Sequence, residues 1–173
     1  MTLTLTLREE PVVPLEAEVL SHDHLATASS EEIQALPVWH GNERTRVGEF
    51  FDDSGAGDDV RLEGDLRRVR FVGAGMSAGR LTVAGDVGMH AGAGMRGGEL
   101  HVKGNAGDWA GAGMRGGSLV VRGSAGAHLG GGQPVGRQHV GLERHVGLLA
   151  QRERERHGIS SRRWMWCGPR LPP

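Results

Sequence analysis

The sequence of 173 residues has few aromatic side chains and a single cysteine: it contains three Phe, four Trp and no Tyr. So few large rings predict a core built from small aliphatic side chains. One cysteine, Cys167, cannot form an intrachain disulfide, which suits a reducing compartment and predicts a cytoplasmic protein.

Long apolar runs and strong net charge are also missing. No stretch approaches the roughly 18 apolar residues of a membrane-spanning helix, and the alternating Thr and Leu of Thr2–Leu7 have neither the basic start nor the apolar run of a signal peptide. The net charge is −1, so whole-chain electrostatics favour neither nucleic acid nor a membrane surface as a partner.

Glycine, by contrast, is abundant, at 30 of 173 residues, far above the usual share of about 7%. A 19-residue segment, Gly85–Lys103, is followed without a gap by a similar one, Gly104–Arg122, and a further copy begins at Gly123. A looser copy, two residues longer, covers Gly64–Ala84. Repeats of this length cannot bury their own apolar side chains and must stack on their neighbours.

Equivalent positions in the repeats form columns of like residues. One column consists of Leu81, Leu100 and Leu119, and a second of Val83, Val102 and Val121. This alternation with a period of two indicates one strand in each repeat. We expect the corners between straight segments at the glycines and their neighbouring methionines, where glycine adopts positive φ without a Cβ clash: Gly73, Gly75, Met76, Gly92, Gly94, Met95, Gly97, Gly98, Gly111, Gly113, Met114, Gly116 and Gly117. The predicted fold is all-β, a parallel β-helix of about three to four coils.

Residues 1–59 precede the repeats and are expected to form a small α+β cap on the first coil. Ser29 and Glu32 have capping-box spacing before a short helix that Pro37 closes. Hydrophobic alternation predicts strands at Thr2–Arg8, Thr45–Phe51 and Asp59–Leu62. The repeats then occupy residues 60–132.

Residues 133–173 form an atypical basic tail, in which positions 137–173 hold eight Arg against three Glu. No Leu-x-Val strand recurs in register after Gly132, so we expect an irregular segment, disordered or produced by a shift of reading frame.

His22 and His24 lie in a predicted loop without a third metal ligand nearby.

Two motifs in the repeats are better explained as structural features than as ligand-binding sites. Gly92–Gly97 and Gly111–Gly116 match G-x-G-x-x-G, but a strand follows each, whereas a dinucleotide site needs a following helix. The corner column Asp65, Asp86, Asn105, Ser124 loses its carboxylates along the chain, unlike a calcium-binding array. No nucleophile, base or metal cluster is indicated, so we expect no catalytic, cofactor-binding or metal-binding residue.

A candidate partner surface consists of two further columns. His90, Trp109 and His128 share one position of successive repeats, and Arg96 and Arg115 project from one corner. The two histidines are two repeats apart, roughly 10 Å at about 4.8 Å per repeat, too far to share a metal. These side chains either contact a partner or form ordinary solvated surface.

The repeat Gly104–Val121 resembles those in the C subunit of formylmethanofuran dehydrogenase and in its bacterial counterpart from the formyltransferase/hydrolase complex. The same fold closes the large subunit of glutamate synthase. The strand at Thr2–Leu7, the helix ending near Leu36 and Val47–Phe51 favour the C subunit, so the resemblance covers about residues 1–132.

The resemblance implies a right-handed β-helix that packs against catalytic subunits handling formyl groups on methanofuran and tetrahydromethanopterin. Molybdenum or tungsten pterin and iron–sulfur clusters would lie on those other subunits. Two alternatives stay open: a protein-binding module, either of the glutamate synthase type or a free solenoid, and an enzyme in its own right.

The reading-frame hypothesis for the tail is tested in the coding DNA. Family members continue with further coils, so an alternative frame after Gly132 should encode more Gly-Met-Arg-Gly-Gly segments. If neither alternative frame does, the hypothesis fails.

Overall fold

The computed structural model describes residues 1–131, 139–142 and 164–166. Their regular elements are mostly β-strands, with two short α-helices and one turn of 3-10 helix, which confirms the all-β class. The strands are β1 Thr2–Leu7, β2 Leu15–Glu16, β3 Pro37–His40, β4 Glu43–Arg46, β5 Phe51–Ser54, β6 Asp59–Glu63, β7 Val69–Arg70, β8 Arg80–Val83, β9 Arg96–Val102, β10 Gly116–Val121, β11 His139–Leu142 and β12 Trp164–Trp166. The helices are α1 His22–Leu25, α2 Ser30–Ala35 and the 3-10 turn Val47–Glu49.

Eight strands form one sheet, here called the long sheet, in the order β12-β11-β10-β9-β8-β6-β1-β5. All its inner pairs are parallel, whereas β5 on β1 and β12 on β11 are antiparallel. Strands β2, β3, β4 and β7 form a second, four-stranded sheet.

Apolar side chains line up across the long sheet, as the sequence columns predict. Leu81 pairs with Leu100 and Leu100 with Leu119, while Val83, Val102 and Val121 pair likewise. All six side chains are fully buried. The intervening Thr82 and His101 point to the other face. Strands β6 and β1 extend both columns. Val60 of β6 continues the Leu column and pairs with Leu3 of β1, and Leu62 continues the Val column and pairs with Leu5.

Backbone hydrogen bonds also join successive repeats away from the long sheet. Leu66, Val87, Ala106 and Ala125 form a chain of parallel bridges. On another side, the N–H groups of Gly92, Gly111 and Gly130 donate to the carbonyls of Val72, Ala91 and Ala110, each at 2.7 to 2.8 Å. Met76, Met95 and Met114 fill the interior between these segments and are fully buried.

The two extra residues of the first repeat lie between Leu66 and Phe71. Leu66 bridges Val87, 21 residues later, whereas the ring of Phe71 stacks on that of His90, 19 residues later. The additional length allows Val69–Arg70 to form β7, which pairs with β2. The irregular spacing therefore attaches the N-terminal region to the repeats.

The N-terminal region takes the place that a preceding repeat would occupy. Besides the β1–β6 and β2–β7 pairs, the N–H of Gly73 donates to the carbonyl of Leu20, as Gly92 does to Val72 one repeat later. The N–H of Ser77 donates to Asp23 Oδ2 at 2.8 Å. The equivalent residue of the next repeat, Arg96, donates its N–H to the Met76 carbonyl instead. The edge of the first repeat is therefore covered.

The predicted capping box is confirmed at α2. Glu32 N–H donates to Ser29 Oγ, and the Ser29 N–H donates to Glu32 Oε2 at 2.8 Å. The latter bond and the Ser29 hydroxyl hold the pKa of Glu32 below its usual value, because both stabilise the charged carboxylate.

Two local predictions in this region are wrong. Thr45–Phe51 is not one strand: β4 ends at Arg46, and the 3-10 turn follows before β5. Buried Val47 donates its N–H to the Leu36 carbonyl, and Gly48 lies directly against Gln34, so contacts with the α2 segment bend the chain. His22 and His24 lie in α1 rather than in a loop.

A strand does follow Gly132, although it is not the Leu-x-Val strand of the repeats and does not lie at their regular period. Strand β11 pairs parallel with β10, which places Val140 beside Leu119 and Leu142 beside Val121. The 21-residue separation hides this strand from a search at the regular period. Residues 132–138, 143–163 and 167–173 lie outside the described structure, and so do the predictions of disorder or a shifted frame for those positions.

Two glycine substitutions in one repeat distinguish a glycine needed only for its left-handed backbone from one needed also for close packing. Gly98 has φ +75°, and a Cβ there would lie 2.8 Å from the backbone of Ala78 and Gly79; Gly94 has φ +65° with open space around it. We expect Gly94→Ala to lower the free energy of unfolding by about 1 kcal/mol through backbone strain. Gly98→Ala should lower it by about 2 to 4 kcal/mol, because the neighbouring backbone must also move. Urea denaturation measures both; equal losses would contradict the close-packing argument.

Candidate partner-binding face

Four aromatic or imidazole rings stack along one corner of the repeats. The centroid distances are 4.7 Å from Phe71 to His90, 6.4 Å from His90 to Trp109 and 4.1 Å from Trp109 to His128, with interplanar angles of 6°, 13° and 4°. We call these four residues the ring column. Trp109 is 37% exposed, so the stack contributes to the surface.

All four members of the ring column have left-handed backbone conformations, with φ of 61° to 63°. This conformation costs a residue with a Cβ about 1 to 2 kcal/mol. Stacked rings contribute about 0.5 to 1.5 kcal/mol per pair beyond their buried area, which offsets the strain. Backbone bonds hold the corner as well: His90 N–H donates to the Asp108 carbonyl and Trp109 N–H to that of Ala127.

Three members of this column were predicted from the sequence, whereas Phe71 was missed. The longer first repeat obscured it, although counting 19 residues back from His90 reaches Phe71. The extra residues lie before Phe71, so the regular period already holds from that position onward.

Arg96 and Arg115 form a second exposed column, the arginine column, in adjacent repeats. Their N–H groups donate to the carbonyls of Met76 and Met95, which fixes their backbones one above the other. In the described part of the chain neither guanidinium has an ion-pair partner. Both are therefore available to bind an acidic group.

Small residues separate the ring column from the arginine column. Gly75, Gly94 and Gly113 lie in this strip, and a Cβ at any of them would meet nothing within 4 Å. Ala93 and Ala112 are their half-buried neighbours. The two columns therefore flank a smooth surface, and we call the whole area, defined by His90, Arg96, Trp109, Arg115 and His128, the ring–arginine face.

Most of the glycines that the sequence places at corners have positive φ. They are Gly73, Gly75, Gly92, Gly94, Gly98, Gly111, Gly113 and Gly117. Gly97 and Gly116 do not; Gly97 lies against the Ser77 carbonyl, where a side chain has no room, and Gly116 begins β10. Strand β9 begins at Arg96, within the first G-x-G-x-x-G motif.

The polar corner column forms hydrogen bonds between repeats. Asp86 Oδ1 accepts from the N–H of Asn105 at 2.7 Å and from its Nδ2 at 3.0 Å, and Asn105 Oδ1 accepts from the Ser124 N–H at 2.8 Å. Asp65 instead pairs with Arg67, whose guanidinium holds the pKa of that carboxyl below its usual value. From Asp86 onward, these side chains satisfy backbone N–H groups of the next repeat.

The remaining candidate ligands are dispersed or engaged locally. His22 Nε2 lies 2.8 Å from the Asp58 carbonyl, and His24 Nδ1 lies 2.8 Å from Ser21 Oγ. Across residues 1–131, 139–142 and 164–166, no three His, Cys, Asp or Glu side chains are grouped so that they could hold a metal ion. Cys167 lies outside the described residues.

The outward face of the long sheet contains a shallow depression of about 350 Å³. Its lining includes Arg80, His101, Lys103 and Arg122. Glu99 partly neutralises this basic area through an ion pair at 3.1 Å with Arg80, and His101 Nε2 lies 3.5 Å from the same carboxylate. The Arg80 guanidinium is the main cause that lowers the pKa of Glu99.

No helix in the described part of the chain is long and apolar enough to span a membrane.

Replacing Trp109 tests whether ring stacking offsets backbone strain. Trp109→Ala and Trp109→Gly both remove the contacts with His90 and His128 and should both be destabilising. Because glycine has no Cβ penalty at φ 61°, the Gly variant should be more stable than the Ala variant by about 0.5 to 1 kcal/mol, measured by urea denaturation. Greater stability of the Ala variant would refute the strain argument.

Comparison with known proteins identifies relatives of this chain. No protein-family model matches it. It is 42% identical over 94 residues to the C subunit of the tungsten-containing formylmethanofuran dehydrogenase 2 of Methanothermobacter wolfeii, covering 51% of this chain and 35% of that protein. It is 44% identical over 84 residues to the C subunit of the molybdenum-containing formylmethanofuran dehydrogenase 1 of Methanosarcina barkeri, covering 45% and 28%.

A solved structure is similar as well. A chain of the formyltransferase/hydrolase complex of Methylorubrum extorquens, crystallised with methylofuran, matches with a TM-score of 0.71 and 32% identity over 78% of this chain and 53% of that one. The chain spans about a third of the length of the curated relatives and about half of the matched solved chain. Over the stretch that it shares with them, the chain is similar to the C subunits of formylmethanofuran dehydrogenases and to a chain of the formyltransferase/hydrolase complex.

Proposed function

We propose that this chain is a non-catalytic structural subunit of a formylmethanofuran dehydrogenase-like or formyltransferase/hydrolase complex. It would serve methanofuran- and tetrahydromethanopterin-linked one-carbon metabolism in the cytoplasm. The observation that carries the proposal is the match to proteins named as the C subunit of the dehydrogenase, together with the match to a chain of a solved multi-subunit complex.

The architecture proposed for this role is a right-handed parallel β-helix. Residues 60–132 would form three to four coils, residues 1–59 a cap, and residues 133–173 a tail. The parallel registers of β6, β8, β9 and β10, together with bridges on a second side of each repeat, support this arrangement. Such a stack provides a long rigid surface, because each repeat is bonded to the next along much of its length.

The ring–arginine face is the surface that we propose for partner contact. Trp and Arg are among the residues most enriched at the positions that dominate binding energy in protein interfaces. Here the backbone holds them in fixed columns beside a smooth strip of Gly and Ala, so little backbone freedom is lost on binding. Two unpaired guanidinium groups favour a partner with carboxylates at matching positions.

Metal cofactors belong to the partner subunits in this proposal. The names of the relatives mention tungsten or molybdenum, and the resemblance assigns a pterin-bound metal and iron–sulfur clusters to other subunits. This chain would position those subunits without binding the metal itself. The relatives named dehydrogenase and the solved formyltransferase/hydrolase complex leave both kinds of complex as candidates.

Charge reversal on the arginine column tests the proposal. Tagged wild-type chain, expressed in its native host, should co-purify with larger subunits of a formyl-transfer complex. Arg96→Glu combined with Arg115→Glu should reduce their recovery at least about tenfold, because like charges at an interface cost several kcal/mol. Mass spectrometry of the purified material measures the recovery.

Arg44→Glu provides the matched control, because Arg44 is exposed on β4, the edge strand of the four-stranded sheet, which contributes no residue to the ring–arginine face. It should leave recovery unchanged. If no larger subunits accompany the wild-type chain, the subunit proposal fails and a free binding module becomes the better account. If they accompany the double variant equally well, the assignment of this face fails.

A further inference from the structure

The edge of the last described repeat differs from the junctions between the other repeats. At each junction one residue of the bridge chain donates its N–H to the next repeat: Leu66 to Asp86, Val87 to Asn105 and Ala106 to Ser124. Members of the ring column do the same, with Trp109 donating to Ala127. The equivalent donors after Gly123 are Ala125 and His128, and no described residue accepts from either.

Two carbonyl groups on the same edge also lack partners among the described residues. The carbonyls of Ala106 and Ala110 accept from Gly126 and Gly130. Their equivalents one repeat later are the carbonyls of Ala125 and Leu129, to which no described N–H donates. The edge from Ser124 to Leu129, here called the free edge, thus presents two N–H and two C=O groups in the pattern that joins the repeats before it.

Burial changes at the same positions. Ala106 is 6% exposed and Ala110 is fully buried, whereas Ala125 and Leu129 are only half-buried. Their side chains occupy interior columns, so the apolar interior opens at the free edge. Strand β11 continues the long sheet beyond β10 on the neighbouring side of the repeat. The opening therefore lies next to β11.

We propose that the free edge binds an extended segment of another polypeptide by β-strand addition, with small or aliphatic side chains facing Ala125 and Leu129. Unpaired strand edges recruit such segments through main-chain hydrogen bonds. The three junctions before it show which geometry fits: a parallel glycine- and alanine-rich segment like one repeat of this chain. The opposite end of the stack offers no equivalent site, because the N-terminal region covers it.

The proposal does not rest on the proposed function, since it uses backbone groups of the free edge and requires no catalytic subunit. The free edge shares only His128 with the ring–arginine face. The probe is a synthetic peptide with the sequence of residues 104–117, GNAGDWAGAGMRGG, blocked at both ends. In the peptide, the carbonyl of Asn105 would accept from Ala125, and the N–H of Gly107 would donate to the Ala125 carbonyl.

Amide hydrogen exchange of the full chain, followed by NMR, is the direct measurement. At a peptide concentration ten times the Kd, exchange at Ala125 and His128 should slow about tenfold, while the bonded amides of Ala106 and Trp109 should not change. A peptide carrying Gly107→Pro, which lacks the required N–H, should give no slowing.

Protein variants give a second, independent test. Ala125→Pro removes a donor from the free edge and should abolish peptide binding in a chain whose circular dichroism remains that of the wild type. Arg44→Ala is the control, because Arg44 is exposed on β4 and is not part of the free edge. Should Ala125→Pro perturb folding, the Gly107→Pro peptide alone decides.

Three outcomes would overturn the proposal. Slow exchange of Ala125 and His128 in the free chain would mean that its own residues already cover the edge. Equal binding of the proline and unmodified peptides would mean that main-chain pairing is not involved. Unchanged exchange at millimolar peptide would mean that the edge binds no such segment.

Discussion

Hydrogen bonding between equivalent residues of successive repeats is the constraint on which the rest of this structure depends. Parallel strands lie about 4.8 Å apart, so each side chain meets its counterpart from the next repeat. A column must therefore consist of groups that tolerate this contact: Leu on Leu and Val on Val inside, rings on rings at the corner. The same spacing places Arg115 beside Arg96, which is unfavourable in isolation and becomes useful when an acidic partner lies opposite.

Glycine makes this pairing sterically feasible in two distinct ways. At Gly94 and Gly113 the backbone needs a left-handed conformation, but the surroundings are open. At Gly98 and Gly117 the backbone of the preceding repeat lies so close that a Cβ would be 2.7 to 2.8 Å from it. The ring column shows that left-handed conformations do not by themselves require glycine, because stacking offsets the strain at Trp109.

The two ends of the stack differ in which backbone groups have partners. At the first repeat, strands β1 and β2 supply parallel partners, and the carboxylate of Asp23 replaces a backbone carbonyl as the acceptor for Ser77. At the last repeat, the long sheet is the part that described residues continue, through β11. The relatives of the chain are named as subunits rather than as complete enzymes, and the proposed role likewise depends on exposed surfaces and edges.

The sequence alone determined the repeating part of this protein. The columns at Leu81–Leu100–Leu119, the strand alternation and the capping box at Ser29 and Glu32 all follow from local patterns, because their partners recur at a constant separation or lie within one helical turn. The family resemblance rested on the same pattern. Where spacing departs from 19 residues, as before Phe71 and at β11, the pattern ceases to indicate the partner.

Only the tertiary structure decided how the irregular segments attach to the repeats. The bend at Val47–Glu49 depends on packing against the α2 segment, and the acceptor role of Asp23 depends on a residue 54 positions away. No repeat and no short-range motif in the sequence indicates either contact. The free edge likewise could not be identified from the sequence, because Ala125 and Ala106 are the same residue type and differ only in whether another backbone lies within hydrogen-bonding distance.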